Sequence, residues 1–306
     1  MKKISLVLIV ILTGIFSAKA CDICGCGVGS YYIGILPDFQ KHILGMRYRS
    51  NSLRTHLGFG GNTTYLTTEE HYKTLELWGG WNIGKKFRVM ASLPVSFNEK
   101  INNGVKGKKS GLGDISVNGY YQLFNSKTKI NKTRLMVQSL WVGAGIKAPT
   151  GSYDPADKLS NSNNTNLFQL GTGSVDYTLN TMYDLRIQDA GINFAASYKM
   201  NSANRYNYNY GNKANAALQF YYKKRIRKSL LSPNAGITYE QSKKDIQDKF
   251  IVDVSGGRLL QATIGAELSY RKITLGGNWQ TPISQNLANG IVKAQCRFML
   301  HVSFVL

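Results

Sequence analysis

The segment Leu260-Gln261-Ala262-Thr263-Ile264-Gly265-Ala266-Glu267-Leu268-Ser269-Tyr270 alternates apolar residues with polar residues or glycine. Successive side chains of a β-strand point to opposite faces, so this segment has one apolar face and one polar face. Such a strand fits a closed sheet that has lipid outside and a polar interior. Similar alternation over residues 87–97 and 174–184 predicts an all-β chain that crosses a membrane as a barrel.

Applied to the whole sequence, the pattern predicts an up-and-down antiparallel β-barrel of about 12 strands, with 14 as the alternative. Most of the predicted strands are close to the ~9–11 residues that a tilted strand needs to cross a bilayer. We place them at 41–50, 72–82, 87–97, 113–124, 134–147, 174–184, 190–200, 213–223, 231–240, 259–270, 273–280 and 293–306.

The predicted connections are alternately long and short. The long ones are 51–71, 98–112, 148–173, 201–212, 241–258 and 281–292; the short ones are 83–86, 125–133, 185–189, 224–230 and 271–272. Bacterial barrels have short periplasmic turns and long external loops, so both ends of the barrel chain are expected in the periplasm. Most of the short connections are rich in lysine and arginine, which suits anionic lipid headgroups.

Pro94 and Pro233 lie inside predicted strands. A closed barrel has no edge strand on which a missing N–H would be harmless. We therefore expect a local bulge at each proline.

The last strand has an apolar face that continues to the final residue, formed by Phe298, Leu300, Val302, Phe304 and Leu306. Barrel proteins often end in a strand of this kind, with an aromatic residue near the terminus. This class resemblance implies that the barrel assembly machinery is a partner.

The first 20 residues predict a secretory signal peptide. Lys2 and Lys3 precede an apolar run over 4–16, and Ala18-Lys19-Ala20 supplies a cleavage site of the A-x-A type. The predicted divisions are therefore a signal peptide at 1–20, a Cys-rich segment at 21–40 and an outer-membrane barrel at 41–306. Lipidation at Cys21 is the alternative to simple cleavage.

The formal net charge of +21 would also suit a nucleic-acid partner. Export removes the chain from nucleic acid, so we expect outer-membrane lipid as the charged surface that it meets. The predicted location is the cell outer membrane.

Three cysteines, Cys21, Cys24 and Cys26, lie within six residues at the expected mature N-terminus. Cys-x-x-Cys spacing can place two thiolates on one metal ion, and thiolates favour Cu(I) or zinc. A disulfide is the equal alternative, because the periplasm is oxidising. The segment 21–40 is long enough to fold into the barrel as a partial plug. Cys296 shares a face with Phe298 and is expected to point to lipid.

The polar faces of the strands carry charges of both signs. These residues either line a hydrated path whose charges set selectivity or form a packed interior of ion pairs. The charged ones are Arg47, Arg49, Glu76, Arg88, Asp176, Lys199, Glu240, Glu267 and Arg297, and polar ones include Asn118, Gln122, Gln219 and Asn278.

His301 and Ser303 form a His-x-Ser pair. A similar pair serves the twelve-stranded outer-membrane phospholipase, where it faces lipid near the outer leaflet. Here the alternation places both residues in the interior near the periplasm, so we do not expect an enzyme.

Two segments resemble a known family. Gly111-Leu112-Gly113-Asp114, followed by Tyr120-Tyr121, is similar to a strand motif of the outer-membrane transporter family named for the MetA pathway of phenol degradation. Residues 148–153 and 169–177 resemble its P-T-G loop and G-T-G-S-x-D-Y strand start. The resemblance implies a barrel that transports small molecules, but the Cys-rich start is not part of the family pattern.

These observations predict an outer-membrane channel or transporter for small molecules, with a link to copper handling suggested by the cysteines. The second hypothesis is a metal-binding outer-membrane protein whose barrel is mainly an anchor. A lipid-modifying enzyme is the third.

Overall fold

A computed structural model describes residues 42–131, 134–156 and 166–306. In chain order the described strands are β1 (Ile43–Thr55), β2 (Thr68–Ile83), β3 (Phe87–Asn102), β4 (Val105–Leu112), β5 (Ser116–Asn131), β6 (Arg134–Lys147), β7 (Asp176–Ile187), β8 (Ala190–Met200), β9 (Tyr208–Asn209), β10 (Lys213–Tyr222), β11 (Lys224–Ile226), β12 (Ser229–Ser242), β13 (Asp245–Gln247), β14 (Phe250–Val252), β15 (Gly257–Tyr270), β16 (Ile273–Leu287), β17 (Lys293–Ala294) and β18 (Arg297–Val305). Two short 3-10 helices cover Phe59–Gly61 and Ala288–Gly290.

Twelve of these strands form one closed antiparallel barrel. They are β1, β2, β3, β5, β6, β7, β8, β10, β12, β15, β16 and β18, each paired with the next. The barrel closes where β1 pairs with β18, from Ile43 opposite Val305 to Ser50 opposite Phe298. The predicted fold is therefore confirmed, with twelve strands and not fourteen.

The remaining strands lie at the ends of the barrel. β4 extends β3 as a hairpin, β11 pairs with β12, and β17 pairs with β1. β9, β13 and β14 form a separate three-stranded sheet within the long connections. Five of these six strands were not predicted, because each is short or lacks regular alternation. The sixth, β17, lies within the strand predicted at 293–306, which the structure divides into β17 and β18.

Several barrel strands continue past their predicted ends toward the long connections. β3 reaches Asn102 and β16 reaches Leu287, five and seven residues beyond the prediction. The prediction used the length that crosses a bilayer, whereas the polar ends of these strands keep pairing with their neighbours beyond it.

The two prolines lie where a neighbouring strand is interrupted. Pro94 accepts a hydrogen bond from the Gly113 N–H at 2.9 Å, so its missing N–H faces the break between β4 and β5. Pro233 lies opposite the break between β10, which pairs as far as Asn234, and β11, which pairs from Leu231. The pairings of Pro94 with β2 and of Pro233 with β15 run without a shift. The expected irregularity is thus in the neighbouring strand, and not in β3 or β12.

Burial alternates along the barrel strands as a membrane barrel requires. On β15, Glu267 is buried, whereas Ile264 and Leu268 are exposed on the outer face. The described part of the chain contains no helix that is long and apolar enough to span a membrane.

Candidate functional site

The structure places the predicted interior charges on the inner side of the barrel wall. Eight of the nine are buried and Arg49 is half-buried: Arg47, Arg49, Glu76, Arg88, Asp176, Lys199, Glu240, Glu267 and Arg297. They do not converge on one point. They form separate groups on different parts of the wall, most of them bound to an opposite charge.

The first group joins β1 to β2. Arg47 lies directly opposite Glu76, and its guanidinium donates to both carboxylate oxygens, with Nη2–Oε1 at 3.0 Å and Nε–Oε2 at 3.2 Å. Arg49 Nη2 also lies 3.2 Å from Glu76 Oε2. Forked Arg–carboxylate pairs of this kind fix geometry as well as charge.

The second group joins β6, β7 and β8. The ammonium groups of Lys147 and Lys199 both lie 2.9 Å from Asp176 Oδ2, and Lys147 Nζ lies 2.5 Å from Asp114 Oδ2. The four charges cancel, which offsets the cost of taking them out of water. Of this group, only Asp176 and Lys199 were predicted as interior charges, whereas Asp114 was named only as part of the family motif.

Asp114 also fastens the long connection 148–175 to the mouth of the barrel. Its Oδ1 accepts the Gly151 N–H and its Oδ2 accepts the Thr172 N–H, both at 2.9 Å. Gly151 and Gly171 touch backbone to backbone, and a Cβ on either would lie within 2.8 Å of the other's Cα. The motifs at 111–114, 148–153 and 169–177 therefore meet in one cluster.

The third group crosses the interior. Arg297 on β18 donates to Glu240 on β12, with Nη1–Oε1 at 2.6 Å, and the side chain passes β16 and β15 to do so. Gln280 Oε1 accepts from the same Arg297 nitrogen at 3.4 Å. Arg88 lies apart from these groups, where Nη1 donates to Asn82 Oδ1 at 3.1 Å. Glu267 is buried beside Gly276 on β16.

An apolar group shares the interior with these charges. The buried residues Ile43, Trp78, Met90, Tyr120, Trp141 and Met182 form one cluster on the wall from β1 to β7. This cluster was not predicted, because the inner faces of the strands were expected to be polar. The alternation contained the signal, because Met90 follows Arg88 at the spacing of one face and Tyr120 lies between Asn118 and Gln122.

The charged and apolar parts of the wall meet at Arg47 and Trp78, where the guanidinium carbon lies 5.9 Å from the ring centroid. Favourable cation–π contacts occur within about 6 Å. A cavity of about 20 Å³ lies here, lined by Arg47, Trp78, Met90, Asn118 and Tyr120 among others. This volume suits about one water molecule.

Residues of the long connection between β6 and β7 cover the interior at the end of the barrel where the long connections lie. The buried Phe168 packs against Leu53 and Tyr72, and Asn98 Nδ2 donates to Gln169 O at 3.2 Å. From the other side, the Tyr210 hydroxyl donates to Asn166 O at 3.0 Å. Residues 166–169 thus cross the mouth between the two sides.

The three-stranded loop sheet is fixed by Tyr208 and Asp245. The Tyr208 hydroxyl donates to Asp245 Oδ2 at 2.5 Å, and Gly211 N–H donates to Asp245 Oδ1 at 2.8 Å. Burial raises the pKa of the Tyr208 hydroxyl well above its usual range, and the neighbouring carboxylate raises it further. Tyr208 therefore stays protonated and keeps this donor.

The sequence pattern of the family described as "Putative MetA-pathway of phenol degradation" matches residues 47–284. The chain belongs to this family. Its fold is similar to that of an outer membrane channel from Pseudomonas putida F1, at 14% identity and a TM-score of 0.64, over 92% of this chain and 100% of that one. The β domain of the Bordetella autotransporter BrkA aligns at 10% identity with a TM-score of 0.49, over 87% and 100% of the two chains. No curated protein sequence matches the chain significantly.

As a member of the phenol-degradation family, the chain has the barrel fold of outer-membrane channels and transporters. The motifs that suggested the family are those that the Asp114 cluster brings together. Their visible role is to hold loop 148–175 against the barrel.

The remaining predicted sites have different outcomes. Cys21, Cys24 and Cys26 lie outside the described residues, whereas Cys296 is an exposed free thiol. Within residues 42–131, 134–156 and 166–306, no group of three or more His, Cys, Asp or Glu side chains could hold a metal ion. His301 is buried on the interior face, two residues from Ser303.

Proposed function

We propose that the protein passes small molecules across the outer membrane through the interior of its barrel. The observation that supports this proposal is the mixed lining of the interior cavity. Arg47, whose guanidinium binds Glu76, lines the same cavity as Trp78, Met90 and Tyr120. Such a lining offers an apolar surface to a ring and hydrogen-bond partners to a polar group. The best-suited cargo is a small aromatic molecule with one polar or anionic substituent. The phenol in the family description fits this chemistry.

The path is narrow. Twelve strands lie between the filled eight-stranded barrels and the open porins of sixteen or more. Because the cavity at the junction has a volume of about 20 Å³, a ring can pass only if the Met90 and Arg47 side chains move. We therefore expect a small ion conductance that an aromatic solute reduces while it occupies the path.

The test is single-barrel conductance in planar bilayers, with benzoate as the aromatic anion. Trp78→Ala should weaken the block about two- to tenfold, because aromatic pairs contribute ~0.5–1.5 kcal/mol. Trp81→Ala is the matched control, since Trp81 is on the same strand but exposed on the outer face. A wild-type current that benzoate does not change, or equal effects of the two variants, would contradict the proposal.

A second candidate function is metal handling at Cys21, Cys24 and Cys26. It is supported by the Cys-x-x-Cys-x-Cys spacing of these residues, which can bring two or three thiolates to one metal ion. In this proposal the thiolates hold Cu(I) or zinc, and residues 21–40 form a partial plug.

The proposed route to the membrane rests on the signal-peptide pattern of residues 1–20 and on the apolar face of the last strand. Residues 1–20 direct export and are removed, and the barrel assembly machinery inserts the strands into outer-membrane lipid. Recovery of the protein in the outer-membrane fraction, with heat-modifiable migration on gels, tests this route.

A further inference from the structure

The outer wall of the barrel has a depression of about 490 Å³ in its lipid-facing surface. It spans β15, β16, β18 and the adjoining part of β1 and β2. Its rim is apolar and exposed, with Met46, Leu75, Leu268, Leu275 and Leu300 around it. The volume is within the roughly 300–1,000 Å³ typical of ligand sites.

The depression exists because small residues replace side chains at its centre. Gly277 faces outward between Ala266 and Leu300, its partners on the neighbouring strands. The preceding residue, Gly276, faces inward and leaves the wall so thin that Glu267 and His301 contribute to the floor of the depression. The surface above this floor is formed mainly by leucine.

A basic turn lies directly beside the depression. Leu268 is opposite Leu275, Tyr270 is opposite Ile273, and the hairpin closes through the exposed Arg271 and Lys272. At about 3.3 Å per residue, Leu275 is roughly 10 Å from Lys272. The turn is held in place, because Lys272 O accepts the Val305 N–H at 2.8 Å.

The adjacent turn adds to this positive charge. Residues 223–228 contain Lys223, Lys224, Arg225, Arg227 and Lys228 and no acidic residue, and the strand that follows them pairs with β15. The short turn at 188–189, elsewhere on the same end, consists of Gln188 and Asp189. Lys85 and Lys86 make another short turn basic, so what distinguishes Arg271 and Lys272 is their position directly beside the depression.

We propose that this wall binds one anionic phospholipid of the leaflet that meets the short turns. An acyl chain fills the depression over Gly277, and the phosphate lies against Arg271 and Lys272. Lysine and arginine near a membrane surface each contribute about 1 kcal/mol to anionic lipid binding. Burial of the acyl chain in the apolar depression contributes further to the binding free energy. The site is separate from the interior path, so it does not depend on the proposed transport function.

The test is native mass spectrometry of the full barrel, released from detergent with equimolar phosphatidylglycerol and phosphatidylethanolamine. We expect the wild type to retain one phosphatidylglycerol in preference to phosphatidylethanolamine. The double variant Arg271→Gln/Lys272→Gln should lose this preference by on the order of tenfold. Lys85→Gln/Lys86→Gln removes the same charge from another short turn and should leave retention unchanged.

The role of the depression is tested by variants that fill it with a larger side chain. In Gly277→Leu a Cβ would lie 3.1 Å from the flexible Leu300 Cδ2, so the new side chain should occupy the depression and displace the lipid. Ala266→Leu fills it from β15 if the first variant fails to fold, as judged by heat-modifiable migration. Gly119→Leu is the control, because position 119 is also exposed and its Cβ would have no neighbour closer than 3.9 Å. Equal retention of phosphatidylglycerol and phosphatidylethanolamine by the wild type overturns the proposal. Equal loss of the preference in the two charge variants, or unchanged lipid retention when the depression is filled, also overturns it.

Discussion

The Tyr221 ring lies against Gly191, so close that a Cβ at position 191 would be 2.3 Å from the ring carbon Cζ. The contact arises because Tyr221 on β10 reaches past β8 to donate its hydroxyl to both Asp184 oxygens on β7, at 3.0 Å each. The same ring packs against Met299 on β18. A glycine on the middle strand therefore allows a side chain to bridge its two neighbours inside the barrel.

Gly191→Ala should destabilise the barrel by about 1–3 kcal/mol, because the added methyl group displaces the ring from a packed position. The measurement is urea unfolding of the barrel in lipid vesicles. In the double variant Gly191→Ala/Tyr221→Ala the methyl group has nothing to displace, so the two effects should not add. Simple additivity would contradict the contact.

Asp114→Ala should be among the most disruptive single changes outside the membrane-crossing strands. It breaks a buried ion pair with Lys147 and leaves the Gly151 and Thr172 N–H groups without an acceptor, so we expect about 3–5 kcal/mol. Urea unfolding measures the loss, and proteolysis within 148–175 should become faster.

The control for this variant is Asp253→Ala. Asp253 forms an ion pair with Lys244 at 2.7 Å, but its side chain is 80% exposed. Exposed pairs contribute roughly 0–1 kcal/mol, so this variant should unfold almost like the wild type. If the two variants have the same stability, Asp114 does not fasten the loop.

Ile264→Arg tests whether the outer wall faces lipid. Ile264 is 64% exposed in the middle of β15, and an arginine on the lipid face near the midplane costs about 2–4 kcal/mol. Ile251→Arg is the matched control, because Ile251 is 65% exposed on loop strand β14 and should change stability by less than about 0.5 kcal/mol. Refolding yield and urea unfolding in vesicles distinguish them. If the two variants lose the same free energy of unfolding, Ile264 faces water and not lipid.

The alternation of side chains was sufficient to predict the barrel. Strands that have one apolar and one polar face can meet lipid and still cover their polar face only if the sheet closes on itself. The alternation was not sufficient to predict which side chains form ion pairs or hydrogen bonds with each other. Arg297 and Glu240 meet across two intervening strands, and Tyr221 and Asp184 across one. Alternation gives the face of a residue, whereas these contacts depend on barrel curvature and on side-chain length.

The apolar interior cluster was missed for a related reason. Trp78 and Met90 lie on the inner face of their strands, but an inner face was assumed to be polar. β4 was missed because its sequence, Val-Lys-Gly-Lys-Lys-Ser-Gly-Leu, contains too few apolar residues to alternate. Its formation depends on the hairpin with β3, which is a tertiary effect.

The orientation of the barrel can be tested by labelling single cysteines in a chain whose own cysteines are replaced by serine. Lys249→Cys, in a long connection, should react with an impermeant maleimide on whole cells because external loops are the long ones. Lys129→Cys, which is exposed near the short-turn end, should react only after the outer membrane is opened. The reverse pattern would mean that the long connections face the periplasm.

Metal binding at the N-terminal cysteines can be separated from disulfide formation by counting thiols and metal on the same mature protein. Thiolates must be deprotonated to bind Cu(I) or zinc, so a metal site should retain about one ion under reducing conditions and lose it on acidification. Cys24→Ser should abolish retention, because it removes the thiolate that both Cys21 and Cys26 need as a partner. Cys296→Ser should have no effect, since that thiol is exposed on the barrel far along the chain. A wild type that binds no metal and has two oxidised thiols would show that these cysteines form a disulfide, and the proposed link to metal handling would then have no support.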